Sequence, residues 1–166
     1  RVDAFREVGG FDDHLIAGEE PELCVRLRNA NWKIWSLPDE MALHDAAMTR
    51  FSQWWRRTMR GGHAFAEGAA MHGAPPERHY VTETRRTIAW GLVLPVVAVV
   101  GAITITPWLM GLLLLWPAQM LRLALKGRAP VEAVFLVAGK VPEAFGVLTY
   151  WTKRLTRQEA RLIEYK

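Results

Sequence analysis

A single cysteine, Cys24, stands among 166 residues. That excludes an internal disulfide framework and suits a chain that works in a reducing, cytoplasmic setting. Cys24 itself reads as a small core residue of a helix. Charge is missing altogether from residues 88–121, so that stretch cannot be an ordinary solvated surface. No internal repeat and no sustained heptad pattern is present. No nucleic-acid-binding motif is present either, so no nucleic-acid partner is expected. The chain opens on Arg1 and enters a motif at once, with no signal peptide and no opening strand–helix pattern. It is therefore read as the C-terminal part of a longer protein.

What is there is unevenly placed. Residues 1–87 carry 12 Lys/Arg and 13 Asp/Glu, and residues 122–166 carry 9 and 4. The net charge of +4 is thus mostly a property of the tail. A basic segment beside a long apolar one points to an anionic membrane surface.

The uncharged run is 34 residues long. As one helix it would measure about 51 Å, against a hydrocarbon core of about 30 Å. Thr104-Ile105-Thr106-Pro107 offers a break, so two spans are expected, near 88–105 and 107–123. Arg85 and Arg86 precede the first, and Arg122, Lys126 and Arg128 follow the second. The connector has no positive charge, so both outer ends are assigned to the cytoplasm.

The densest chemistry lies near the start. Gly9-Gly10-Phe11-Asp12-Asp13 is followed by Gly18-Glu19-Glu20-Pro21-Glu22-Leu23. Glycines let a ligand approach the main chain. Pro21 predicts the first position of a helix, whose positive end stabilises carboxylates placed there. A loop, an acid pair and a helix start can bind a polar substrate and remove a proton from it. The competing reading is a turn followed by ordinary capping acids.

Gly9-Gly10-Phe11-Asp12, then Gly18 to Arg28, then Trp32-Lys33-Ile34 resembles the second half of a family 2 glycosyltransferase domain of the GT-A type, over roughly residues 1–68. The resemblance implies an α/β fragment, with a nucleotide-sugar donor and a lipid-linked or glycan acceptor. In that family the second acid of the pair is the catalytic base, usually Asp. That position is Glu20 here, with Glu19 beside it, and Gly9, Gly10 and Asp12 would shape the donor-sugar and acceptor side. The resemblance also implies a divalent metal, Mn²⁺ or Mg²⁺, held mostly by residues before Arg1 and completed by His44. From the residues alone, His44 after the apolar run Met41–Leu43 reads as structural. This segment by itself is expected to bind no nucleotide sugar.

Further along, Trp32 to Leu37 reads as a strand. Residues 48–67 read as a helix with Met48, Phe51, Trp55, Met59 and Ala66 near one face and several arginines opposite, the pattern of an interfacial helix. Gln53-Trp54-Trp55-Arg56-Arg57 loosely resembles the Gln-x-x-Arg-Trp motif of processive family members, which marks Trp55 and Arg56 as substrate-binding candidates. Gly61-Gly62 is expected to kink or break this helix, and 68–82 to be a loop. His63, His72 and His79 match no metal motif. Residues 130–151 read as an amphipathic helix kinked at Pro142 and lying along the inner surface, with a third span as the competing reading.

The expected organisation is thus a catalytic fragment with an interfacial helix at 1–68 and a linker at 69–87. Two transmembrane helices follow at 88–123, and an amphipathic helix with a basic tail at 124–166. The function expected is that of an inverting glycosyltransferase of the bacterial inner membrane. The alternative is a non-catalytic membrane anchor or assembly subunit.

Overall fold

The computed structural model describes residues 1–35 and 48–156. Among them every regular element is helical, and no strand is present. The expected α/β fragment is therefore corrected to an all-helical architecture. Trp32 to Trp35 form no strand, and they have no partner strand among the described residues. A lone aromatic and β-branched run gains nothing from its propensity without a pleated neighbour to pack on. Ser36, Leu37 and the run Met41–Leu43 lie outside the described residues.

Two short elements lead. Helix α1 covers Val2–Glu7 and α2 covers Glu19–Asn29. Gly18 sits at φ 86° immediately before α2, in the left-handed region that favours glycine. It sets the helix start two residues ahead of the expected Pro21, which occupies the third helical position instead. Proline is tolerated there because that N–H has no partner within the helix.

Helix α3 runs unbroken over Phe51–His72. Gly61 and Gly62 do not break it, and the expected loop at 68–82 shrinks to the turn after His72. The next helix, α4 (Val81–Ile88), leads through a π-helical turn, Ala89–Val93, into α5 (Leu94–Thr104). The widened turn lies one turn before Pro95, whose ring would otherwise meet the carbonyl of Gly91. A 3₁₀ segment, Pro107–Leu114, then leads into α6 (Leu115–Leu125) and lies just before Pro117. Helices α7 (Pro130–Ala138) and α8 (Lys140–Leu155) follow. No break falls at Pro142 itself; α7 and α8 are divided at Gly139, next to Ala138, whose carbonyl Pro142 has no N–H to satisfy.

Two continuous helical stretches, Val81–Thr104 and Pro107–Leu125, are long and apolar enough to cross a membrane. At 1.5 Å per α-helical residue and 2.0 Å per 3₁₀ residue they measure about 36 and 32 Å, enough for the hydrocarbon core. They form a hairpin. The Trp116 indole N–H donates to the Trp90 carbonyl at 3.2 Å, and nearer the turn Gly101 lies against Leu109. Thr87, Gly91, Ala98 and Gly101 make a buried face on the first stretch. The second stretch has no buried residue, and Trp108, Leu121 and Leu125 are exposed. So much uncovered apolar surface is what lipid contact requires.

Helix α8 does not lie free on a surface. Pro142, Ala144, Gly146, Val147 and Tyr150 are buried, and Val147 and Tyr150 join Ala66 of α3 in a core against which Ile88 packs. The crossing of α3 and α8 is a contact of backbones. A Cβ on Gly62 would overlap the carbonyl of Glu143, and one on Gly146 would overlap the carbonyl of Met59. Likewise a Cβ on Gly91 would overlap the carbonyl of Lys140, so the first span docks on the start of α8.

Candidate functional site

The glycine loop takes its shape from positive φ angles, 82° at Gly9 and 75° at Gly10. Gly10 lies against the Phe5 ring, where a Cβ would come within 3.2 Å. The loop is tied down by Arg26 of α2, which donates to the carbonyl of Val8.

Arg26 belongs to the most buried polar cluster near the site. Its Nε and Nη2 donate to both oxygens of Glu22, at 2.8 Å and 2.7 Å. His72, at the end of α3, shares the second hydrogen bond to Glu22 Oε1 at 2.9 Å. Glu22 is only 2% exposed. Burial opposes its charge, but the hydrogen bonds and charges of Arg26 and His72 prevail and hold the carboxyl below its ordinary value. Asp12 faces the same cleft, lined also by Gly9, His14, Glu22, Arg26 and His72. The His14 backbone N–H donates to Asp12 at 3.0 Å and lowers its carboxyl; slight burial works against this, and the His14 ring and Arg26 add to it.

The acid pair faces elsewhere. Glu19 lies 3.8 Å from Arg60 of α3. Glu20, the expected base, is exposed. Successive residues of a helix point about 100° apart, so one acid can face α3 while the other faces solvent. Arg56 lines a small cavity of about 30 Å³ together with Arg60, His63 and Lys153, room for a water. The buried Nε of Arg60 has no hydrogen-bond partner among the described residues. The adjacent His63 Nδ1 faces Glu67 at 3.5 Å.

The sequence-derived candidates therefore divide into three places. Gly9, Gly10 and Asp12 gather round Glu22, Arg26 and His72. Glu19 and Arg56 meet at the basic face of α3 around Arg60, with Glu20 open to solvent beside them. Trp55 joins neither group: its ring packs among Phe51, Trp54 and Phe145, a contact between α3 and α8. His44 lies outside the described residues. Among the described residues no three His, Cys, Asp or Glu side chains converge as a metal site, and Glu22 already has Arg26 and His72 as partners. The described residues do not form a site for the expected divalent ion.

Sequence reasoning missed the Glu22–Arg26–His72 cluster and the role of Arg60. Glu22 and Arg26 are four apart on one helix, a pairing readable from spacing. His72 is 50 residues from Glu22, and nothing local marks it. Comparison with known protein families, curated proteins and solved structures finds no match to this chain.

Proposed function

We propose that the chain is the C-terminal, membrane-bound part of an inverting glycosyltransferase. It would transfer a sugar from a nucleotide-sugar donor to a lipid-linked or glycan acceptor at the cytoplasmic face of a bacterial inner membrane. The observation that carries this reading is the acid pair of the motif at the start of α2. Left-handed Gly18 fixes its place, Glu19 faces Arg60, and Glu20 is open to an incoming acceptor.

In this reading Glu20 takes the proton of an acceptor hydroxyl. The freed oxygen attacks the anomeric carbon as the bond to the diphosphate oxygen breaks, and nucleoside diphosphate leaves. Glu19 positions the start of α2 through Arg60. The membrane hairpin keeps the acceptor side close to the bilayer.

Glu20→Gln keeps the size but cannot accept the proton. In the full-length gene product, assayed with radiolabelled nucleotide sugars, it should lower turnover by about 10²–10⁴ with donor affinity little changed. Glu20→Asp should be tolerated. Glu19→Gln should cost less, through positioning. Near-normal turnover in Glu20→Gln with loss in Glu19→Gln would reverse the assignment within the pair.

A second reading, a non-catalytic membrane anchor or assembly subunit, is favoured by one observation. The closest packing in the chain, α3 on α8 on the first span, joins the elements to one another and leaves Glu20 without a partner among the described residues. Unchanged turnover in both Glu20→Gln and Glu19→Gln would favour it.

A further inference from the structure

Where the two spans return to the same end of the hairpin, a groove of about 490 Å³ opens between α4, α6, α7 and the start of α8. Arg86, Arg122, Lys126 and Lys140 line it, and among the described residues Glu83 is the acid on its wall. Lys140 is matched by Glu143 at 2.6 Å. Three cations then face one acid, an excess of two positive charges. Among the described residues Arg122 makes one side-chain hydrogen bond, to the Gln119 amide oxygen at 3.5 Å. Apart from Gln119, the rest of the wall is apolar and includes Trp90, Leu123 and Leu136.

We propose that this groove binds the phosphodiester headgroup of an anionic phospholipid, with its acyl chains lying along the second span. Two features together select that ligand. The excess positive charge sits at the end of a hairpin with the dimensions of a bilayer core, where a basic pocket between spans meets headgroups. The groove also has apolar wall of its own at Trp90, Leu123 and Leu136, the last of them exposed, which a small free anion would leave uncovered and an acyl chain would cover. The four cations come from α4, from α6 and the residue that caps it, and from α8, so the headgroup would tie the hairpin to the helix that docks on α3. The site rests on the hairpin lying in a bilayer and is independent of sugar transfer.

The test is native mass spectrometry of the full chain in detergent, titrated with phosphatidylglycerol or phosphatidylcholine. Saturable binding of phosphatidylglycerol at least about tenfold tighter than phosphatidylcholine is expected. Arg86→Gln with Lys126→Gln should weaken phosphatidylglycerol binding about twenty-five-fold, at roughly fivefold per cation. Arg85→Gln with Arg128→Gln removes the same charge at the same end of the hairpin but outside the groove, and should cost about threefold or less. The wild-type comparison stands even if the groove variant does not fold. Equal binding of the two lipids, equal losses in the two double variants, or displacement of the lipid by millimolar inorganic phosphate would each overturn the site. Vesicle flotation separates the two levels. Failure to float with any vesicle overturns the membrane reading as well, whereas flotation without lipid selectivity overturns the groove alone.

Discussion

Gly61 and Gly62 are neighbours in the middle of α3, yet alanine should have opposite effects at the two positions. A Cβ on Gly61 meets nothing within 4 Å. Alanine there gains only helix propensity, about 0.8–1.0 kcal/mol. A Cβ on Gly62 would overlap the Glu143 carbonyl oxygen and lie 2.6 Å from the Glu143 carbonyl carbon and Cα. Comfortable carbon–carbon separations are about 3.5–4.0 Å, so α8 must retreat by about 1 Å. Backbone atoms cannot rotate aside as a side chain would. The retreat also loosens the contact of Ala66 with Val147 and Tyr150. Overpacking of this kind costs about 1–3 kcal/mol, and rigid backbone places it at the upper end. After the propensity gain, Gly62→Ala should be destabilised by about 2 kcal/mol. The two variants should then differ by about 3 kcal/mol, or roughly 6–12 °C in melting temperature for a chain of this size. Thermal unfolding in one detergent, followed by near-UV circular dichroism, reads this directly. Equal melting temperatures for the two variants would refute the backbone contact between α3 and α8.

Other outcomes follow from the same structure. Glu22 has a carboxyl lowered in the folded state, so its stabilisation is complete above its unfolded value near 4.5 and is lost as pH falls through the folded value. Glu22→Gln should cost about 2–4 kcal/mol at neutral pH, towards the lower end because the Arg26 side chain keeps 24% exposure. It should also shrink the loss of stability in acid, leaving the part due to Asp3, Asp12 and Glu77, whose carboxyls are also lowered; an unchanged denaturant midpoint from pH 3 to 7 relative to wild type would count against the cluster. Thr87, fully buried, donates to Glu143 at 2.6 Å. Thr87→Val should cost about 1–3 kcal/mol in thermal unfolding, and no loss would mean that Lys140 alone satisfies Glu143. In a Cys24→Ser background, single cysteines from Thr106→Cys and Lys126→Cys should react with a membrane-impermeant reagent from opposite sides. Labelling of both from one side would exclude the hairpin topology.

The sequence spoke clearly where one force dominates. An uncharged run flanked by arginines has few alternatives to a hairpin, and Pro107 cannot continue the helix that ends at Thr104. It spoke poorly where the outcome depends on a distant partner. Trp32 to Trp35 have strand propensity and no strand beside them. Gly61-Gly62 looked like a breaker because local propensity sees two glycines. Gly62 is instead one of a small-residue series with Ala66 at four-residue spacing, and its counterpart is Gly146 on α8. That spacing is the readable sign of helices in backbone contact. Pro21 misplaced the start of α2 because proline fits anywhere in a first turn, whereas left-handed Gly18 fits only before it. Nothing local sets Glu22 apart from the other acids at the start of α2, since its burial depends on His72 reaching it from the C-terminal end of α3.

These contacts give α3 a particular place in the proposed chemistry. Near its middle it meets the start of α2 through Arg60 and Glu19. At its C-terminal end it holds Glu22 through His72. Between them Gly62 seats it on α8, whose first turn receives Gly91 of the first span. The start of α2 is therefore tied to the first apolar stretch through a chain of helix contacts, two of which are backbone against backbone and leave little room to slide. Flexible loops at either joint would let the acceptor side drift relative to the membrane. A proton acceptor must come within about 3 Å of the hydroxyl it serves, and an acceptor held in a membrane can meet that demand only if the helix carrying the base is fixed to the same membrane. Under the proposed function, the small residues of this seam would hold α2, and Glu20 with it, in a fixed relation to the hairpin.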